Sequence, residues 1–124
     1  MAGATFKKSE RLSSEKRIQE LFKKGSSFYL YPFKVVFLPS QETAASQILI
    51  SVPVRSFKKA VDRNKVKRRI REGYRLQKQN LPQSAKFLIA YIYTAKEIHP
   101  SKFIHDKLNQ SFQHLTAMDD EKKK

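Results

Sequence analysis

The sequence predicts an α+β fold, in which helices cover a small, mostly antiparallel sheet in the order α-β-β-α-β-α. Three observations predict it. Segments with apolar residues at every third or fourth position alternate with short β-branched runs. The 124 residues suit one domain, and a hydrophobic content of 40% supplies a modest core. Helices and strands mixed along so short a chain favour helices laid on a single sheet.

The first helix is predicted over residues 14–24. Ser13 or Ser14 can cap its start, and Gly25 can adopt a left-handed conformation at its end. Its apolar face consists of Ile18, Leu21 and Phe22.

Three runs predict strands. The first, PFKVVFL at residues 32–38, alternates between a deeply buried face and a second face. The second, QILISVPV at residues 47–54, follows after a polar connection and is expected to pair antiparallel with the first. The third, KFLIAYIY at residues 86–93, is almost continuously apolar, which is typical of a central strand.

A last helix is predicted to begin at Pro100 or Ser101. Its apolar positions recur at spacings of four, four and three, at Ile104, Leu108, Phe112 and Leu115. The two ends are polar, so residues 1–12 are predicted to form a mobile basic arm and residues 117–124 a disordered tail.

Charge and composition exclude several classes of protein. Lys and Arg number 26 against 11 acids, which gives a net charge of +15 and points to a polyanionic partner. The absence of cysteine excludes disulfides and thiolate sites for metals or catalysis. No run approaches the ~20 apolar residues of a membrane span, and the N-terminus lacks a signal-peptide pattern. We therefore expect a soluble, cytoplasmic protein without a membrane partner.

The segment KKAVDRNKVKRRIREGYR, residues 58–75, concentrates this charge, with nine cations against two acids. At 100° per residue, Val66, Ile70 and Tyr74 fall on one arc that is expected to face the sheet. The cations cover almost all of the remaining helix surface. Like charges four residues apart destabilise a helix, whereas bound phosphates would reverse the sign of that effect.

Two further features of this helix favour phosphate binding over a solvated charged face. Glu72 with Arg68 is the main compensating ion pair, so few cations are neutralised within the chain. Arginine predominates, and its planar guanidinium matches phosphate oxygens better than an ammonium does. A DNA recognition helix is disfavoured because no helix-turn-helix partner is present, and membrane binding would need an exposed apolar face.

The same helix carries a family resemblance. The run AVDRNKVKRRIRE resembles the signature of the bacterial ribonuclease P protein component, an Arg-Asn-Arg, any residue, Lys-Arg pattern. The matching residues are Arg63, Asn64, Lys65, Lys67 and Arg68, with Lys65 in place of an arginine. RLSSEKRIQELFKKG is similar to the family's first helix, ILISVPVRSFKKAVDRN to the strand that leads into the motif, and KFLIAYIY with the last helix to its end.

The resemblance implies a single RNA-binding domain over residues 1–124. Such a protein is a noncatalytic subunit of an endoribonuclease, and it binds a catalytic RNA subunit that removes the 5′ leader of precursor tRNA with magnesium ions. It also implies an unusual left-handed βαβ crossover. The alternative is a ribosomal or other structured-RNA-binding protein without a processing role.

The resemblance further implies two sets of binding residues. For the RNA subunit they are Lys58, Lys59, Arg63, Asn64, Lys65, Lys67, Arg68, Arg69, Arg71 and Arg75. For a groove that takes the leader, between the first helix and the sheet, they are Arg17, Ile18, Phe22, Lys34 and Val36. The family has aromatic residues at both helix positions, and here Ile18 replaces the first.

Several residues have two interpretations. Asn64 is either a helix cap or an RNA contact, and Phe22 belongs either to the core or to the groove. Four of the five tyrosines, Tyr29, Tyr31, Tyr91 and Tyr93, are better explained by strand pairing and core edges than by base stacking. His99, His105 and His114 are expected at the surface, without the spacing of a metal site.

Overall fold

The computed structural model describes residues 11–40, 46–81 and 86–122, with side chains up to residue 117. The elements are helix α1 (Glu15–Lys24), strands β1 (Ser26–Leu30), β2 (Phe33–Pro39) and β3 (Gln47–Ser51), helix α2 (Ala60–Gln77), strand β4 (Phe87–Tyr93) and helix α3 (Ser101–Lys122). A short 3₁₀ turn, Lys78–Asn80, follows α2. The α+β class is confirmed.

The sheet has four strands in the spatial order β1-β2-β4-β3. Strand β2 is antiparallel to both β1 and β4, so the sheet is mostly antiparallel as predicted. Strand β1 was not predicted, because most of its side chains are exposed and its apolar alternation is weak. The element order is therefore α-β-β-β-α-β-α.

The predicted antiparallel hairpin between the runs at residues 32–38 and 47–54, which form β2 and β3, is wrong. Strand β3 pairs in parallel with β4, which lies between β2 and β3. The physical reason is the composition of β4, which is buried on both faces and therefore takes the central position. Strand β3, helix α2 and strand β4 thus form a parallel βαβ unit, as the crossover expected from the resemblance requires, while its hand stays a prediction.

One side of the sheet, here called the helix-pair face, is covered by α2 and α3. Its core joins Val35 of β2 and Ile89 of β4 to Val66 and Ile70 of α2. The four predicted apolar residues of α3 are all fully buried in it: Ile104, Leu108, Phe112 and Leu115. Tyr91 is also buried here, its hydroxyl lies 2.7 Å from the Ser111 hydroxyl, and burial raises its pKa.

The other side of the sheet, here called the α1 face, carries a smaller core. Leu21 of α1 is fully buried against a floor that includes Val36, Leu88 and Ala90. Ile18 packs at the edge of this cluster and is only partly buried. A ten-residue helix is too short to cover four strands, so part of this face remains open.

The ends of α1 fix how the helix meets the sheet. Ser14 caps the start, since its hydroxyl accepts a hydrogen bond from the Arg17 backbone N–H. Gly25 is extended rather than left-handed, which corrects the predicted cap. A Cβ at Gly25 would lie 2.8 Å from the Phe37 carbonyl oxygen, so this glycine permits close approach of helix and strand.

The ends of the domain also differ from prediction. Within the predicted arm, Arg11 bridges to Ile48 of β3, and Leu12 is 3% exposed, because an apolar residue there fills the core of the α1 face. Residues 1–10 lie outside the described residues. The predicted tail begins within α3, which continues to Lys122, because extending an existing helix needs no new nucleus.

Candidate RNA-binding surfaces

Helix α2 presents a cationic surface, here called the basic face. The predicted sheet-facing arc is confirmed, since Val66, Ile70 and Tyr74 are buried. Gly73 is buried with them, and a Cβ there would lie 2.6 Å from Leu108 of α3. This close contact holds α2 against α3 and turns the opposite side outward. The exposed cations are Lys58, Lys59, Lys65, Arg68 and Arg71, while Arg63, Lys67, Arg69 and Arg75 are partly buried.

Two of these arginines, Arg63 and Arg69, donate hydrogen bonds to backbone carbonyls. Arg63 donates to the backbone carbonyls of Phe57, at 2.7 Å, and Lys58, at 2.9 Å, and so ties the start of α2 to the segment before it. Arg69 donates to the His99 carbonyl at 2.6 Å and joins α2 to the connection between β4 and α3. These contacts orient the basic face, because charge-assisted hydrogen bonds fix the guanidinium planes.

The compensating acid on α2 has a different partner from the predicted one. Glu72 pairs with Arg75, three residues later, instead of Arg68. This hydrogen bond lowers the pKa of Glu72. Since Glu72 is engaged with Arg75, the charge of Arg68 is directed to solvent, and Arg68 is exposed.

Asn64 is not a helix cap. Helix α2 begins at Ala60 after Lys59, which makes no side-chain capping bond. Asn64 therefore lies inside the helix and is exposed beside Lys65. The capping interpretation is therefore wrong, and the Asn64 amide is accessible to an external ligand.

The basic face reaches the α1 face around the edge of β3. Arg71 of α2 and Arg11 line a pocket of about 290 Å³ together with β3 residues from Ile48 to Ile50. Arg11 directly precedes Leu12, which packs on the α1 face. Arg71 and Arg11 thus place cations at the β3 edge, between the two surfaces.

The five predicted groove residues all belong to α1 or to the strand beneath it. Phe22 is 49% exposed, so it is not a core residue, and Lys34 is exposed on the α1 face of β2. Arg17 donates to the side-chain oxygen of Gln47 on β3 at 3.5 Å. Ile18 is partly buried, and Val36 is 6% exposed, so Val36 forms the floor under α1 and offers little surface.

The four tyrosines outside α2 divide into two groups. Tyr91 and Tyr93 are buried, as predicted for core residues. Tyr29, on the α1 face, is 61% exposed, and Tyr31 is also exposed. Tyr29 lies on the strand that was not predicted. The alternation of Phe28 with Tyr29 in SSFYL is the signal that would have placed one ring inside and the next outside.

The three histidines contact other residues of the chain. His99 stacks on Phe103 and its Nε2 lies 3.0 Å from the Tyr31 hydroxyl, while the His114 ring contacts Phe28 at a tilt of 37°. His105 Nε2 lies 3.2 Å from the Arg69 carbonyl oxygen. Among the described residues, no three His, Asp or Glu side chains come together as metal ligands. Within the same ranges, no helix is long and apolar enough to cross a bilayer.

The fold and these surfaces define a class: a small α+β protein with a cationic helix beside a half-covered sheet, suited to a polyanion with exposed bases. The Ribonuclease P family model matches residues 6–116, most of the chain. The chain belongs to the bacterial ribonuclease P protein component family.

Individual relatives agree with this assignment. The chain is 48% identical over 82 residues to the Ribonuclease P protein component of Porphyromonas gingivalis. The matched segment covers 63% of this chain and 60% of that protein. It is 35% identical over 88 residues to the Ribonuclease P protein component of Petrotoga mobilis. That match covers 71% of this chain and 73% of the relative. The match spans only 56–60% of the Porphyromonas relatives.

A solved structure has the same fold. The RNase P protein from Thermotoga maritima superposes with a TM-score of 0.73 at 29% sequence identity. The superposition covers 85% of this chain and 96% of that chain. The arrangement of three helices and a mixed four-stranded sheet is therefore the fold of this family.

Proposed function

We propose that this chain is the noncatalytic protein subunit of ribonuclease P. It binds the catalytic RNA subunit through the basic face and the 5′ leader of precursor tRNA on the α1 face. The chemistry belongs to the RNA subunit and its magnesium ions, and the protein supplies positioning. A cytoplasmic location accompanies this role.

The observation that carries the proposal is the arrangement of the motif residues. Asn64, Lys65 and Arg68 are exposed on one helix whose orientation is fixed by Gly73 against α3. Phosphate groups neutralise such a cluster and release counterions, which favours RNA at moderate salt. Arg63 and Arg69 keep part of their donor capacity, because a guanidinium has five N–H groups and each donates only one or two bonds to the described residues.

The α1 face supports the second part of the proposal. A single strand binds by stacking its bases on aromatic rings along a positive groove. Phe22 supplies a half-exposed ring, and Lys34 supplies an exposed cation on the adjoining strand. The pocket beside Arg71 lies at the edge of β3, between the basic face and the α1 face, which supports contact of one RNA assembly with both surfaces.

The test is cleavage of precursor tRNA by the cognate RNA subunit at low magnesium and moderate salt. The protein is expected to accelerate cleavage, because its cations replace part of the charge neutralisation otherwise supplied by magnesium. Absence of stimulation, with the protein bound to the RNA subunit, would overturn the processing role and favour the structured-RNA-binding alternative. Absence of binding as well would overturn both.

A further inference from the structure

We infer that Tyr29 is an additional stacking surface for a base of the single-stranded leader, beyond the part of the sheet that α1 covers. The inference rests on the proposed function, and it names a residue outside the set implied by the family resemblance. It follows from the exposure of Tyr29, the way its hydroxyl is held, and the charge beside it.

The position of Tyr29 is set by the strand register. Phe28 turns to the helix-pair face, where its ring lies 4.0 Å from His114 and 5.7 Å from Phe37. Side chains alternate along a strand, so Tyr29 is on the α1 face. It pairs across the ladder with Lys34, which in turn pairs with Ile92 of β4. An exposed ring, a cation and an apolar side chain therefore lie in one row across three strands.

The ring of Tyr29 is held at its tip. The Thr94 hydroxyl donates to the Pro32 carbonyl at 3.1 Å, so its single proton is used. The Tyr29 hydroxyl, 3.0 Å from Thr94 Oγ1, must then be the donor of that bond. The Thr94 backbone N–H donates to the same Pro32 carbonyl at 2.8 Å. This second bond holds Thr94, whose hydroxyl oxygen accepts from Tyr29, in place. An exposed ring anchored at both ends loses little freedom when a base stacks on it.

The spacing fits a nucleotide chain. Val36, under α1, is two residues along β2 from Lys34, the partner of Tyr29. Two residues of a strand span about 7 Å, which is close to the distance between successive phosphates of an extended single strand. A strand of RNA with a phosphate near Lys34 can therefore place one base over Tyr29 and continue toward Val36 and α1, the helix that carries Phe22. Such an extra ring compensates for Ile18, which offers no stacking surface.

The experiment uses the full chain assembled with its RNA subunit, and a precursor tRNA with 2-aminopurine at successive leader positions. Tyr29→Ala is expected to restore fluorescence at one position that wild-type protein quenches. It is also expected to weaken precursor binding roughly 5- to 150-fold, without affecting mature tRNA. Tyr29→Phe keeps the ring and is expected to keep most of the affinity. A leader truncated before the quenched position should be insensitive to Tyr29→Ala.

Tyr31→Ala is the matched control, because Tyr31 is exposed but contacts His99 and Phe103 near α3. It is expected to leave precursor affinity unchanged. If Tyr29→Ala has no effect while Phe22→Ala weakens precursor binding, the inference is overturned and the proposed function stands. If wild-type protein does not distinguish precursor from mature tRNA, the proposed function fails and the inference with it. Equal losses with precursor and mature tRNA would also overturn the inference.

Discussion

The two faces of one sheet differ in how far they are covered, although the same strands supply both. On the helix-pair face, two long helices bury the Phe and Val side chains of β2 and the Phe, Ile and Tyr side chains of β4 that face them. On the α1 face, a ten-residue helix covers only part of the strands, and Phe22 and Tyr29 remain exposed. Exposed aromatic rings next to cations are typical of single-strand binding surfaces. The difference separates a structural face from a candidate binding face.

The largest expected effect is on the helix-pair face. Phe112→Ala removes a fully buried ring that packs 6.0 Å from Tyr74. The loss of the ring and the resulting cavity should lower the free energy of unfolding by about 3 to 5 kcal/mol. Chemical denaturation measures this free energy of unfolding. The exposed Phe22→Ala should cost less than about 1 kcal/mol in the same assay, and equal losses would contradict the contrast between the faces.

A smaller effect is expected where α1 joins the sheet. Gly25→Ala places a methyl group against the carbonyl oxygens of Leu21 and Phe37, which are backbone atoms and cannot move cheaply. The free energy of unfolding should fall by about 1 to 3 kcal/mol. The exposed neighbour provides the control, since Ser26→Ala should stay within about 0.5 kcal/mol of wild type. A neutral Gly25→Ala would mean that α1 is not held by this contact.

Substitutions of exposed residues on the α1 face are expected to change the affinity for RNA instead of the free energy of unfolding. Phe22→Ala is expected to weaken the affinity for leader-bearing precursor tRNA by about 1 to 3 kcal/mol, because one stacked base is lost. The affinity for mature tRNA should not change. Leu76→Ala removes another exposed apolar side chain, on α2, and serves as the control. Equal losses with both RNAs would exclude a leader contact at Phe22.

The smallest expected effect concerns single cations of the basic face. Arg68→Ala should reduce the slope of log affinity for the RNA subunit against log salt by about 0.7 to 0.9 per lost phosphate contact. Lys102→Ala removes the same charge from α3 and should leave the slope unchanged. An unchanged slope for Arg68→Ala would mean that Arg68 is only solvated.

The helices and the central strand were predictable because local periodicity determines them. The buried arc of α2 and the apolar positions of α3 follow from a 3.6-residue repeat. The pairing of β3 with β4 was not predictable from adjacent segments, since it depends on which strand is buried on both faces. Strand β1 escaped prediction because an edge strand with exposed side chains has little apolar pattern.

For the candidate surfaces, the sequence predicted which residue types are present but not their hydrogen-bond partners or their exposure. Charge density identified α2, but the sequence did not show that Arg63 and Arg69 also bond to backbone carbonyls. Nor did it show that Glu72 prefers Arg75, since spacings of three and four residues are both compatible with a helix. The exposure of Tyr29 required the strand register, which a single sequence does not contain.

The most direct test of the account compares precursor and mature tRNA binding to the RNA subunit, with and without the protein. The protein is expected to tighten precursor binding much more than mature tRNA binding, because only the precursor has a leader to occupy the α1 face. Phe112→Ala protein, kept folded at low temperature, should retain that preference, whereas Phe22→Ala should reduce it. Equal tightening of both RNAs by wild-type protein would contradict the assignment of the α1 face to the leader.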